Sequence, residues 1–191
     1  PLAAVGLDMH PTTGRLYVGV GAFAPEPGVH VELVEQDILA AGMDGAVDWI
    51  VKRAGRRLPV VMPADSPATM LHAALKKARV QVYVLNLTEQ WQASAAIERA
   101  VVTDGTLTHF TDPLLDQAVK ESTREQHRAP GQWRLGRTGE LQGSPLWAVT
   151  AAHFGAVKWS KRRGAASSKE SARSGRASSG RASTSREAVG V

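Results

Sequence analysis

The sequence has 191 residues, of which 43% are hydrophobic and 21% charged, proportions typical of a soluble globular protein. A chain of this length predicts one domain with a sizeable buried core. It contains no cysteine, which excludes disulfides, cysteine-bound zinc, iron–sulfur clusters and thiol nucleophiles. No apolar run reaches the roughly 20 residues that span a bilayer, and no segment resembles a signal peptide. We therefore predict no membrane association.

The net charge of +5 is concentrated at the end of the chain. Residues 160–191 contain eight Lys or Arg and two acids, a net charge of +6, which leaves −1 for residues 1–159. This Ser- and Gly-rich segment cannot bury enough apolar surface to offset the entropy lost on ordering. The sequence therefore predicts one domain over 1–159 and a disordered tail over 160–191. The tail is either a basic arm that contacts nucleic-acid phosphates through Lys161, Arg162 and Arg163 or a solubilising terminus.

The predicted elements begin with three strands and then alternate between helices and strands. Period-2 patterns and turn residues place the first strands at 3–8, 16–23 and 29–35. Helical spacing, continuous apolar runs and helix-start residues then predict helices over 44–56, 66–77 and 88–102, with strands at 58–62 and 80–85. A helix from Pro113, a short edge strand at 132–135 and a last helix from Ser144 follow.

This order of elements predicts an α/β fold. Strand–helix–strand units pair their strands in parallel through right-handed crossovers. A three-stranded meander followed by two such units gives a five-stranded mixed sheet, in the order 3-2-1-4-5, with helices on its faces. That arrangement matches the ribonuclease H-like fold.

Two acids follow strands that this order makes neighbours. Asp8 ends the first strand and Asp65 follows the fourth, so both lie at the carboxyl edge of the sheet, where α/β proteins bind ligands. Such carboxylates can hold a divalent cation that polarises a phosphodiester. Glu140 is a candidate third ligand near the start of the last helix. The structural alternatives are a turn cap for Asp8, a helix N-terminal acid for Asp65 and a solvated loop residue for Glu140.

Other catalytic motifs are missing from the sequence. It has no GxxxxGK[ST] phosphate loop and no GxSxG nucleophile elbow. Gly19-Val20-Gly21 lacks the third glycine and the following helix of a dinucleotide-binding fingerprint, and the six histidines show no metal-ligand spacing.

Several segments, in this order and at these spacings, resemble one protein family. The sequence is similar to the C-terminal nuclease domain of tailed-phage terminase large subunits, especially those of phages of actinobacteria. The segments that carry the resemblance are Val5-Gly6-Leu7-Asp8, the strand 29–34, Ser66-Pro67-Ala68, 105–109, 113–119 and Ser144-Pro145-Leu146-Trp147-Ala148-Val149.

The resemblance implies the ribonuclease H-like fold and an endonuclease that cuts concatemeric DNA with Mg²⁺ or Mn²⁺ during genome packaging. It also implies double-stranded DNA, a terminase small subunit and a portal as partners, and the bacterial host cytoplasm as the location. Full-length family members carry an ATPase that this chain lacks, so we expect a fragment or the product of a split gene.

Two departures from the family pattern bear on activity. Pro63 stands where the family has an acid at the end of the fourth strand, and Gln142 stands where it has an aspartate before the last helix. The leading hypothesis is a metal-dependent endonuclease in which Asp8 and Asp65 bind the cation. The alternatives are a degenerate domain that binds DNA or packaging partners without cutting, and another ribonuclease H-like nuclease such as a resolvase or integrase.

Overall fold

The structure, a computed structural model, describes residues 1–24, 28–35, 39, 42–126 and 131–159. Residues Pro1–Lys158 form one compact unit. The predicted tail, with Lys161, Arg162 and Arg163, lies outside the described residues.

A six-stranded mixed sheet forms the centre of this unit. Its strands are β1 (Leu2–Met9), β2 (Leu16–Phe23), β3 (Val29–Glu35), β4 (Pro59–Pro63), β5 (Gln81–Leu85) and β6 (Leu107–Thr108). The order β5-β4-β1-β2-β3-β6 contains the predicted order 3-2-1-4-5 and confirms the α/β, ribonuclease H-like architecture. The predicted count of five strands was wrong by one. The additional strand, β6, pairs in parallel with β3 and has two residues, too few for a periodic pattern.

Helices cover the sheet and start at the predicted residues with small shifts. They are α1 (Gly42–Ala54), a 3₁₀ turn (Pro67–Leu71) that leads into α2 (His72–Lys77), α3 (Leu87–Glu98) with a π turn (Arg99–Thr103), α4 (Pro113–Glu121) and α5 (144–159). Ser66, Asn86 and Asp112 cap three of these starts by accepting backbone N–H groups. No helix in the described ranges is long and apolar enough to cross a membrane.

A short hairpin lies outside the main sheet. Its strands, β7 (Arg124–Gln126) and β8 (Trp133–Leu135), form a separate two-stranded sheet. The edge strand predicted at 132–135 therefore exists, but its partner is β7. We did not predict β7, whose three residues are all exposed and show no alternation.

The side chains of β1 point alternately to the two faces of the sheet, and different helices pack on each face. Val5, Leu7 and Met9 belong to a core that includes Ile50 of α1 and Leu75 of α2. The intervening residues point to the opposite face, where α5 packs. There the contact is close, because Cβ atoms added at Gly6, Gly19 or Gly21 would lie within 3 Å of the backbone of α5. Asp8 continues this second row, so the fold buries its carboxylate beside the start of α5.

His153 lies on α5 and predicts a pH dependence of stability. It is 3% exposed, and burial lowers its pKa to about 4, whereas an unfolded chain has a histidine pKa of about 6.5. The folded state therefore binds fewer protons than the unfolded state. This difference in proton binding contributes about 3 kcal/mol to the free energy of unfolding. The contribution is complete above pH ~6.5 and is lost as the pH falls towards 4.

We expect the His153→Leu variant to lack this component. Between pH 7 and pH 4, its free energy of unfolding should fall by about 3 kcal/mol less than that of the wild type in urea titrations. His72→Leu is the matched control, because His72 is a helical histidine that stays half-exposed to water. An equal pH dependence in the wild type and His153→Leu would contradict the prediction.

Candidate functional site

The predicted acids do lie at one edge of the sheet. Strands β1 and β4 pair in parallel, with Val5 opposite Val60, and their carboxyl ends lead to Asp8 and Asp65. Ser66 connects the two ends, because its Oγ accepts N–H groups from Met9 and Ala68, both at 3.1 Å. The same cap that starts the 3₁₀ turn therefore holds Asp65 beside the end of β1.

Asp8 is bound by a guanidinium group. The Asp8 carboxylate is fully buried, and Arg137 donates to both of its oxygens, from Nη1 to Oδ2 at 2.8 Å and from Nη2 to Oδ1 at 2.9 Å. This two-bond geometry is the strongest form of arginine–carboxylate pairing. Arg137 lies on the segment between β8 and α5, 129 residues from Asp8.

The same guanidinium reaches Asp65. Arg137 Nη2 lies 3.6 Å from Asp65 Oδ1, and Arg134 of β8 donates from Nη1 to Asp65 Oδ2 at 2.7 Å. Arg134 also donates to Glu125 Oε2 at 2.6 Å and to Gln90 Oε1 at 2.7 Å. Acids and arginines thus alternate from Asp8 to Glu125, and each buried or half-buried charge has an opposite charge next to it.

Burial and the neighbouring carboxylates shift the pKa of Arg137 in opposite directions. Burial lowers this pKa, whereas hydrogen bonds to Asp8 and the negative charges of Asp8 and Asp65 raise it, and the net result is a pKa above the ordinary arginine value. Arg137 therefore remains a cation at every pH at which the protein is folded.

Glu140 does not join Asp8 and Asp65 through its carboxylate. Its side chain is exposed, and its main-chain oxygen accepts from His10 Nε2 at 2.9 Å. Since His10 Nδ1 accepts the N–H groups of Thr12 and Thr13, Nε2 carries the proton. His10 therefore fixes the loop around Glu140 and has no free ring nitrogen.

The two departures from the family pattern supply no ligand. Pro63 is the buried last residue of β4. Gln142 has a positive φ of 50°, and its Nε2 donates to the Gly139 carbonyl at 2.8 Å. The amide is therefore turned back onto its own loop.

These residues do not fit a divalent cation. Magnesium requires near-octahedral oxygen ligands and usually retains several waters, whereas Asp8 is sealed from solvent with both oxygens bound to Arg137. Within the described ranges, no three His, Cys, Asp or Glu residues are grouped so that they could hold a metal. The buried polar atoms without a hydrogen-bond partner in these ranges include Arg137 Nε and Trp147 Nε1, which are N–H donors and do not bind cations, and Ser144 Oγ, which is an uncharged hydroxyl.

Neither of two clefts beside the fold exposes the carboxylate pair. An apolar cleft of about 510 Å³ lies between α3, α4 and β8, and Asp8 and Asp65 do not line it. A more polar cleft of about 640 Å³ includes His10, Arg15 and Glu140 in its lining. Neither cleft therefore opens onto the buried Asp8 carboxylate, and Asp65 lies beside it as an exposed residue.

Neither arginine was predicted from the sequence as part of the site. Arg134 lies in the short strand β8, and Arg137 follows two residues after its end. We assigned neither cation a role from the sequence. The one available signal was charge, because a carboxylate that the fold buries requires a cation beside it.

Comparisons with known proteins support the fold. Two solved structures of the large terminase nuclease from thermophilic phage G20c, one of them with bound magnesium, are similar to this chain. The magnesium-bound structure has a TM-score of 0.57 at 12% identity, and the other has 0.55 at 11%. Each match covers 78% of this chain and 79% of the other. No protein-family model and no curated protein matches the sequence.

Proposed function

We propose that this chain is a nuclease-fold domain that holds double-stranded DNA during phage genome packaging and does not hydrolyse it. The observation that carries the absence of hydrolysis is the buried pairing of Arg137 with both oxygens of Asp8. The similarity to the large terminase nuclease of phage G20c supports the packaging context. In that context, the location is the host cytoplasm, and the partners are a terminase small subunit and a portal.

The pairing opposes hydrolysis for a chemical reason. A metal ion in such a nuclease polarises the phosphodiester and converts a bound water into hydroxide. A guanidinium supplies positive charge, but it has no open coordination position to activate water. A metal ion could bind the buried Asp8 carboxylate only by displacing Arg137, so the loss of the Arg137–Asp8 pairing is a cost that cation binding has to offset. Each 1.4 kcal/mol of that cost weakens cation binding about tenfold.

A second candidate function is a metal-dependent endonuclease. One observation favours it: Asp8 and Asp65 converge closely enough for one guanidinium to reach both. The G20c nuclease, which has the same fold, has been crystallised with magnesium. Under this alternative, Asp8 and Asp65 would bind Mg²⁺ or Mn²⁺, with Glu140 as the third ligand, after displacement of Arg137.

A plasmid assay on the full chain separates the two functions. Supercoiled plasmid is incubated with the protein and Mn²⁺ or Mg²⁺, and both nicking and retention of DNA on a filter are measured. We expect salt-sensitive retention without metal-dependent nicking, because phosphate contacts release counterions.

Two variants make the assay decisive. Asp8→Ala and Asp65→Asn remove one acid each, and Asp65 is 37% exposed, so that its variant is expected to fold. Asp104→Asn is the control, because Asp104 is an exposed acid outside the candidate site. Metal-dependent nicking that both site variants abolish would establish the endonuclease instead. The absence of both nicking and retention would reject a DNA-binding function.

A further inference from the structure

Seven exposed cations lie in two short segments that precede neighbouring strands. We call this surface the basic edge. The first segment ends α1 and leads to β4, and the second ends α2 and leads to β5. Its members are Lys52, Arg53, Arg56, Arg57, Lys76, Lys77 and Arg79.

The sheet register brings the two segments together. Strands β4 and β5 are parallel neighbours, and Pro59 pairs with Gln81. Arg57 and Arg79 each precede a member of this pair by two residues, so both lie in the turns at the same end of the sheet. The paired strands that follow these turns are about 4.8 Å apart, so the two turns are close enough for both side chains to contact one polyanion.

The positive charge of the basic edge is not neutralised. Within the described part of the chain, no ion pair involves any of the seven cations. Arg53 stacks on the Trp49 ring at 3.7 Å, which leaves its charge in place. From residue 49 to residue 88 the sole acid is Asp65, and it follows the opposite end of β4. The nearest acid on α1 is Asp48, one turn before Lys52.

Helix chemistry explains only part of this cluster. Cations in the last turn of a helix are stabilised by the helix dipole, which suits Lys52, Arg53, Lys76 and Lys77. Arg56, Arg57 and Arg79 lie beyond the helices. Arg79 has a φ of 63°, a left-handed conformation that favours glycine, whereas the corresponding end of α1 does have a glycine there, Gly55, with a φ of 57°. An arginine in a glycine position is unfavourable for the fold alone.

We propose that the basic edge is a DNA-contacting surface of the domain, which binds the phosphate backbone of a duplex. The inference rests on the proposed function, that the domain holds DNA. Seven exposed cations without acidic partners match a linear polyanion, which carries one charge per about 1.7 Å of duplex. The five residues of β4 separate this surface from Asp65 by about 17 Å. DNA held there contacts the domain away from the arginine-bound carboxylates.

The test compares two double variants of the full chain. Arg57→Gln/Arg79→Gln removes two charges from the basic edge, and Arg99→Gln/Lys120→Gln removes two exposed charges elsewhere. Affinity for a duplex of arbitrary sequence is measured from about 50 to 200 mM salt. We expect the basic-edge variant to bind about tenfold more weakly, with a salt slope smaller by about 1.8, and the control to match the wild type. Thermal melting verifies that both variants are folded.

The outcomes separate this inference from the proposed function. If the wild type retains DNA and both variants have its affinity and salt slope, the basic edge does not contact DNA, and the proposed function stands. If the wild type itself does not retain DNA, both proposals are rejected. If the basic-edge charges are needed for binding vesicles of anionic phospholipid and not for binding DNA, the surface belongs to a membrane contact, and the proposal is overturned.

Discussion

Arg137→Gln is expected to lower the free energy of unfolding by about 3–5 kcal/mol. The variant leaves the fully buried Asp8 carboxylate without its cation, and it also removes a contact to Asp65. Denaturant titration at neutral pH measures the loss. Arg124→Gln is the matched control: Arg124 also pairs with an acid, Glu98, but its side chain is 57% exposed. For such a surface pair we expect a loss of at most about 1 kcal/mol.

A double variant separates loss of charge pairing from loss of packing. Asp8→Asn/Arg137→Gln removes both charges and keeps two polar side chains of similar size. We expect the double variant to be more stable than the sum of the single losses predicts, with a coupling energy of about 2–3 kcal/mol. Additive losses would show that Arg137 stabilises the fold mainly by packing, and the ion-pair account would be wrong.

Gly6→Ala is the second large effect that we expect. A Cβ atom at residue 6 would lie 1.9 Å from the Ala148 carbonyl oxygen and 2.5 Å from the Ala152 nitrogen. Both are backbone atoms of α5, so that the helix itself must move away from the sheet. Overpacking of this kind costs about 3 kcal/mol or more, and thermal or chemical unfolding measures it.

The control for Gly6 is the same substitution at a position with space. Gly14 has a φ of 70° and no atom within 4 Å of an added Cβ. Gly14→Ala therefore costs only the left-handed backbone strain, about 1 kcal/mol. If Gly6→Ala destabilised the protein no more than Gly14→Ala, the close packing of α5 on β1 would not be the constraint that we describe.

Most of the sheet could be predicted because its strands have strong local patterns and its connections are restricted. Alternation in residues 29–35 and the apolar run at 58–62 identify strands, and right-handed crossovers then determine their order. The strands β6 and β7 could not be predicted in this way. Leu107–Thr108 is a strand only because β3 lies beside it, a contact between residues 78 positions apart.

The role of the glycines also depends on tertiary structure. Gly19 and Gly21 suggested a nucleotide-binding fingerprint only as a partial match, and the sequence offers no other local reason for them. In the structure they allow α5 to approach the sheet. A glycine that is required by a neighbour more than 100 residues away produces no local pattern.

The candidate site was predictable for its acids and not for its arginines. Asp8 and Asp65 lie at the ends of strands whose order is predictable, so the edge of the sheet at which they meet is predictable as well. Arg134 and Arg137 come from a hairpin and a loop whose position depends on packing against α3 and α5. The sequence contains 23 Lys and Arg residues, and nothing in its local patterns indicates which of them reaches Asp8.

Binding of Mn²⁺ to the full chain, measured from the paramagnetic signal of the free ion, tests the central claim most directly. If Arg137 is the resident cation of Asp8 and Asp65, the wild type and Asp65→Asn should reduce the free-ion signal equally, with no site at this carboxylate pair. A stoichiometric site that is present in the wild type and lost in Asp65→Asn would show that a metal displaces Arg137, and it would contradict the claim.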